Sequence, residues 1–171
     1  NSDYIQYLDA DDLINPEKLE NQLKILTKKE DSISYGLWAR FINNINHEKI
    51  TLQGIKKNYE NPTNLLVDVW NNENMVPIHS WLTPSSLIKK AGKWNEELTH
   101  NQDGEFFSRV LISAKNILFC NYAISYYRSN VINSISNSST SKTHAASQLL
   151  SYQLYVKNLN AFKHNFEVKK A

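Results

Sequence analysis

Tyr4-Ile5-Gln6-Tyr7-Leu8-Asp9-Ala10-Asp11-Asp12 begins as a short aromatic run and ends in three carboxylates within four residues. Aromatic and β-branched side chains suit a pleated, half-buried surface, so Tyr4 to Leu8 reads as a strand, and as a central one. In α/β sheets, ligands sit beyond the carboxyl ends of the strands. Acids at such a place repel one another unless a cation, a basic side chain or solvent offsets the charge. Hard divalent ions take oxygen ligands from such clusters, together with substrate phosphates. The plainer alternative is a solvated turn, or acids that cap the next helix. The strand before them and the helix start after them favour a metal–diphosphate site.

Downstream, Asn15-Pro16 reads as that helix start, with Asn at the N-cap and Pro at the first position. Leu19, Leu23 and Leu26 then recur at helical spacing to about Lys29. Ser32 to Phe41 reads as a second strand, Asn43 to Asn46 as a turn, and Lys49 to Gln53 as a returning strand. Asn61-Pro62 starts a helix whose apolar residues are Leu65, Leu66, Val69 and Trp70. Ile78 to Leu82 predicts a strand, and Thr83-Pro84 caps a short helix that Gly92 closes. A helix over Gln102 to Ser113 carries Phe106, Phe107, Val110 and Leu111, and two short strands follow at Ile117–Cys120 and Ala123–Tyr127.

Ser129 to Ser141 is rich in Ser and Asn and reads as a mobile loop. His144 to about Phe166 predicts a long final helix with Leu149, Tyr152, Leu159 and Phe162 among its apolar residues. Strands and helices alternate with no internal repeat and no linker, which argues an α/β class and one domain over 1–171. Its expected parts are a core over 1–128, a loop over 129–141 and a C-terminal helix over 142–171.

The bulk composition agrees. The 171 residues are 41% hydrophobic and 21% charged, as in a soluble globular protein with a real core. A net charge of +2 is too small to argue for nucleic acid or an anionic membrane as main partner. The longest apolar runs fall far short of the roughly 20 residues of a spanning helix. Cys120 is the single cysteine, which rules out an internal disulfide and fits a reducing compartment. The expected location is cytoplasmic, at or near the inner face of the membrane. The chain starts at Asn1, almost at once in strand-like sequence. The expectation drawn from this is a longer protein with further strands ahead of Asn1, and an open sheet edge that invites self-association.

Two further groups bear on chemistry. Asn101-Gln102-Asp103-Gly104-Glu105-Phe106-Phe107-Ser108-Arg109 brings two acids to a helix start. The helix dipole favours acids there, so capping is the plain reading. Trp70, Trp81, Trp94, Tyr126 and Tyr127 are aromatic and belong either to the core or to a sugar-stacking surface. Trp81 and Trp94 are the leading candidates for substrate contact because they flank the segment leading to Asp103.

Taken together, these residues resemble glycosyltransferase family 2, with its GT-A fold. The matching stretches are Tyr4 to Asp12 through Pro16-Glu17-Lys18-Leu19-Glu20, then Gly92-Lys93-Trp94-Asn95-Glu96, then Asp103 to Arg109, then Tyr126-Tyr127-Arg128. They come in the family's order and reach to about residue 128. The resemblance implies a Rossmann-like mixed sheet flanked by helices, missing the first nucleotide-binding strands. Asp9-Ala10-Asp11 looks like the family's DxD motif. By that likeness Asp9 approaches the ribose or the metal's water shell, and Asp11 ligates Mn²⁺ or Mg²⁺ on the donor diphosphate. Asp103 stands where the family keeps its general base. Trp81, Trp94, Asp12 and Glu105 are then candidates for acceptor contact.

The implied activity is inverting transfer from a nucleotide-diphosphate sugar donor to a saccharide or lipid-linked acceptor, in bacterial cell-surface polysaccharide synthesis. Three departures matter. The family's first three strands, expected ahead of Asn1, are not in the sequence, no His follows Tyr126-Tyr127-Arg128 where some members supply a further metal ligand, and the lack of a Gln-x-x-Arg-Trp signature argues against a processive synthase. The rivals are a haloacid-dehalogenase-type phosphatase, a calcium loop and a catalytically incompetent or carbohydrate-binding fragment. Asp12-Leu13 replaces the phosphatase's usual Thr or Val, and Leu13-Ile14 breaks the calcium spacing.

Overall fold

The computed structural model describes residues 2–29, 31–46, 50–72, 74–129 and 142–162. Its strands are β1 (Tyr4–Ile5), β2 (Leu13–Ile14), β3 (Ser32–Phe41), β4 (Trp81–Pro84) and β5 (Asn116–Arg128). Its α-helices are α1 (Lys18–Leu26), α2 (Pro62–Asn71), α3 (Ser85–Ala91), α4 (Gln102–Ser113) and α5 (Lys142–Leu159). The strands form one mixed sheet in the order β1–β4–β3–β5–β2. β3 and β5 run parallel, and the other pairings are antiparallel. Nine of the ten β3 residues are buried, as a strand covered on both faces requires. The main core gathers Ile33 and Tyr35 of β3, Ile117 of β5, Leu65 of α2, Leu87 of α3, and Phe106 and Val110 of α4. No helix among the described residues is long and apolar enough to cross a membrane.

Several local expectations hold because their causes are local. Asn61 caps α2: its Oδ1 accepts the Thr63 N–H at 3.1 Å, with Pro62 at the first turn. Gly92 closes α3 at φ 82°, a left-handed value that favours glycine. The helix over Gln102–Ser113 has the expected bounds.

Others are corrected by long-range pairing. Tyr4–Leu8 is not a central strand: only Tyr4 and Ile5 pair, with Thr83 and Pro84, and β1 is an edge of the described sheet. Residues 78–80 form a 3₁₀ turn, and the strand starts at Trp81. Of the returning strand, Gln53 alone makes a bridge, to Trp38, and Lys49 lies outside the described residues. Asn15 does not cap α1. Its Oδ1 accepts the Ile124 N–H at 2.8 Å, and its backbone N–H donates to the Ile124 carbonyl, so it serves β5 as a partner. The two expected strands after α4 are one. Across β3 the register slips between Gly36↔Cys120 and Leu37↔Ile124, so residues 121–123 bulge out within β5.

Of the expected loop, residues 130–141 lie outside the described residues. The final helix is present, and its buried residues are only partly its apolar ones. Leu149 and Tyr152 are exposed, while Ser147, Ser151 and Leu159 are buried.

One buried charge has a measurable consequence. Lys18 of α1 is fully buried, and its Nζ donates to Gln22 Oε1 at 2.7 Å and Gln6 Oε1 at 2.5 Å. Burial lowers its pKa to about 7. Above that value the native state has released a proton that the unfolded chain keeps up to its ordinary pKa, so stability rises with pH across this window. The expected gain between pH 7 and 9.5 is on the order of 3 kcal/mol. Denaturant titrations should show that slope in the native protein and lose it in Lys18→Met. A variant that keeps the slope would disprove the assignment to Lys18.

Candidate active site

The acidic loop between β1 and β2 is held by tethers that the sequence does not advertise. Asp12 is buried, and its Oδ1 accepts the backbone N–H of Arg128, at the end of β5, at 2.7 Å. The Arg128 guanidinium returns the link, donating to the Asp11 carbonyl at 2.9 Å and the Ile42 carbonyl at 2.7 Å. Asp12 Oδ2 lies 2.7 Å from Nδ1 of the fully buried His79. Asp12 is thus a tether of the loop, which corrects its candidacy for acceptor contact: burial and two partners occupy its carboxylate.

Asp9, Asp11 and an edge of the buried Asp12 line a cavity of about 970 Å³. Burial, then repulsion from Asp12, pushes the Asp9 carboxyl above its ordinary pKa; His79 opposes this, and Asp11 and Asp103 add smaller repulsions. A concentration of negative charge that raises one of its own members suits a bound cation. Among the described residues no three His, Cys, Asp or Glu side chains converge on one point. A divalent ion here would take one or two carboxylates and complete its shell with phosphate oxygens and water, the usual habit of Mg²⁺. The residues present fit that arrangement.

Asp103 lines the same cavity from the first turn of α4. It is exposed, and none of the ion pairs among the described residues involves it. Its Oδ1 accepts the Gly104 N–H at 2.9 Å. Both roles weighed for it therefore remain open to it: a carboxylate facing a cavity, and a partner of one helix N–H.

Glu105, two residues on, is different. It is buried, and its two oxygens take Arg109 Nε and Nη2 at 2.8 Å each, with Asn158 Nδ2 at 3.1 Å. That leaves nothing for an acceptor and corrects its candidacy. Its work is to aim Arg109, which also binds the carbonyls of Ala91 and Lys93 and so ties α4 to the segment carrying Trp94.

The aromatic candidates divide likewise. Trp81 edges the cavity but is only 3% exposed, stacked on Phe107 and tilted against Tyr35. It is core, which corrects its candidacy. Trp94 is half-buried at the cavity wall and lies parallel to Phe106 at 4.3 Å, so one face of its ring is taken.

What sequence reasoning missed is the part played by α5. Ser147 Oγ accepts the N–H groups of Thr99 and His100 at 3.0 and 2.9 Å and donates to the His100 carbonyl at 3.0 Å. Asn101 stands at φ 58°, ψ 25°, a left-handed conformation that Asn tolerates. Its Nδ2 donates to Ser151 Oγ and to the Tyr155 hydroxyl, each at 2.9 Å. A methyl at Gly104 would overlap that hydroxyl, so only glycine lets α5 close on the loop before Asp103. Sequence offers a faint signal for this: serines at positions 147 and 151, one helical turn apart, on a helix otherwise read by its apolar residues.

The chain as a whole is similar to known proteins. Over 115 residues the chain is 29% identical to an uncharacterised glycosyltransferase, MJ1057, of Methanocaldococcus jannaschii, covering 63% of this chain and 36% of that protein. Its fold matches that of S. aureus TarS 1–349, solved with UDP-GlcNAc, with a TM-score of 0.67 at 13% identity, over 91% of this chain and 43% of that one. The chain thus spans well under half the length of these two proteins. The mixed sheet with its flanking helices is of the GT-A type. The model of glycosyl transferase family 2 matches residues 1–134, from the strand before the acids to past Arg128, and the chain belongs to that family.

Proposed function

We propose that the protein transfers a sugar, with inversion, from a nucleotide-diphosphate sugar to an acceptor hydroxyl. The observation that carries this reading is that Asp9, Asp11 and Asp103, from two distant segments, line one cavity. Asp103 accepts the proton of the acceptor hydroxyl, and the oxygen attacks the anomeric carbon as the bond to the diphosphate breaks on the opposite face. Asp11, with Asp9 beside it, would hold Mn²⁺ or Mg²⁺, which supplies charge stabilisation to the departing diphosphate. Asp12, His79 and Arg128 keep the acids in place. The donor is read as a uridine-diphosphate sugar, since TarS was solved with UDP-GlcNAc. The setting proposed is cell-surface polysaccharide synthesis on the cytoplasmic side of the membrane, with a saccharide or lipid-linked acceptor.

Calorimetric titration of the full natural protein with UDP-GlcNAc, with and without Mn²⁺, tests the donor half. Binding should require the metal, and Asp11→Ala should weaken it about tenfold or more, because a lost ligand to a hard ion is not replaced by water at equal strength. Equal affinity with and without Mn²⁺, unchanged in Asp11→Ala, would defeat the metal-dependent reading.

A further inference from the structure

The cavity lining is chemically mixed. It includes the acids Asp9, Asp11 and Asp103 and two arginines, Arg40 and Arg128. Arg128 binds the acidic loop, and Arg40 lies over Trp38 and Tyr127 of strands β3 and β5. From α2 and α5 come three successive rings. Trp70 and Tyr155 have centroids 5.3 Å apart at 45°, and Tyr155 and Tyr152 are 6.1 Å apart at 40°. All three line the cavity, with the neutral amides of Asn74 and Gln148. Neither α2 nor α5 contributes a lysine or arginine to the lining.

The rings are not equivalent. Tyr155 is the anchor, its hydroxyl held by Asn101, and Trp70 is half-buried beside it. Tyr152 is 53% exposed. An exposed tyrosine braced by a fixed neighbour inside a concave site offers an apolar face without the entropy cost of ordering a long side chain. Sugar rings present patches of C–H bonds to such faces and hydroxyls to flanking amides. An anion would meet the negative charge of Asp103, whose field reaches Tyr155.

We propose that Tyr152, supported by Trp70 and Tyr155 and flanked by Gln148 and Asn74, is the acceptor subsite, and that its occupant is an uncharged saccharide. This rests on the transferase reading above, with Asp103, in the same cavity, as the base to which the subsite delivers a hydroxyl. Most of the subsite sits on α5, beyond the 1–134 that match the family. It is therefore a feature of this chain's own specificity, distinct from the shared acids. It also replaces Trp81 as the substrate-facing aromatic, since Trp81 is enclosed by Tyr35 and Phe107.

Saturation-transfer NMR on the full natural protein tests it. The probes are cellotriose, chitotriose and maltotriose, with glucose 6-phosphate as the anionic comparison, in the presence of UDP and Mg²⁺. Irradiating aromatic protons should transfer saturation to ring C–H protons of at least one neutral trisaccharide. Tyr152→Ala should cut that transfer about tenfold, a loss within the range for one stacked ring, and Tyr152→Phe should keep it. Both variants should melt with the native protein, because Tyr152 is more than half exposed. No transfer to any trisaccharide, transfer unchanged in Tyr152→Ala, or transfer to glucose 6-phosphate alone would overturn the subsite. The uridine signals separate the two readings. UDP that binds while no trisaccharide does overturns the subsite alone. Trisaccharides that bind through Tyr152 without UDP support the subsite and overturn the transferase.

Discussion

Asp103→Asn is expected to lower turnover of the full natural protein by about a hundredfold or more, the usual range for loss of a general base. Asparagine keeps the size of the side chain and an Oδ1 that can accept the Gly104 N–H, so the local contact at the start of α4 survives. What disappears is the group proposed to take the acceptor proton. Asp103 is exposed at the cavity and pairs with no cation among the described residues, so no buried charge is orphaned by the change. Donor affinity and Tm should therefore stay close to native. The measurement is steady-state transfer with thermal melting in parallel. A variant that melts much lower yet turns over normally when folded would make Asp103 a structural residue and remove the base from the mechanism.

Gly36→Ala should destabilise the fold by about 3 kcal/mol or more, a drop of roughly 6–12 °C in Tm for a domain of this size. Gly36 sits in β3 opposite the bulge of β5, where the register slips between Cys120 and Ile124. A methyl there would overlap the carbonyl oxygen of Ala123 and stand 2.7 Å from the Ala123 Cβ. The obstacle is buried backbone, which cannot swing aside as a flexible side chain can. The bulge also sets how far β5 reaches, because Tyr126, Tyr127 and Arg128 follow it and Arg128 holds Asp12. Loss of donor binding should therefore accompany the loss of stability. Chemical denaturation of the variant checks both amounts, and an unchanged Tm would mean that β3 and β5 do not pair in this register.

The site was legible to the extent that its causes are short-range. Three acids after a β-favouring run, a proline-marked helix start and an acid in the first turn of an amphipathic helix are local patterns. They placed Asp9, Asp11 and Asp103 correctly on one cavity. Asp12 and Glu105 are buried although each stands one or two residues from an exposed acid. Asp12 is spoken for by Arg128, 116 residues distant, and nothing in its immediate neighbours reveals a partner that far along the chain. Glu105 is held by Arg109, four residues on and legible at helical spacing, and by Asn158, 53 residues distant and not legible.

The helix α5 shows the same limit from the other side. Sequence named Leu149, Tyr152, Leu159 and Phe162 as its apolar residues, yet Ser147 and Ser151 are buried along with Leu159 while Leu149 and Tyr152 are exposed. The reason is the loop over 99–101, whose N–H groups and carbonyl lie where no helix or strand can satisfy them. Small hydroxyls approach closely and supply the bonds, and an unmade buried hydrogen bond costs more than an exposed leucine does.

By itself, then, the sequence determined the α/β class, the family and three acids that line the cavity, because each rests on residue type and spacing within a few positions. The tertiary structure alone decided which acids are tethers, which aromatic faces the cavity and how β5 bulges past Gly36. Those outcomes depend on burial and on partners half a chain away, and a side chain's neighbours in space are set by the packing of whole elements against one another.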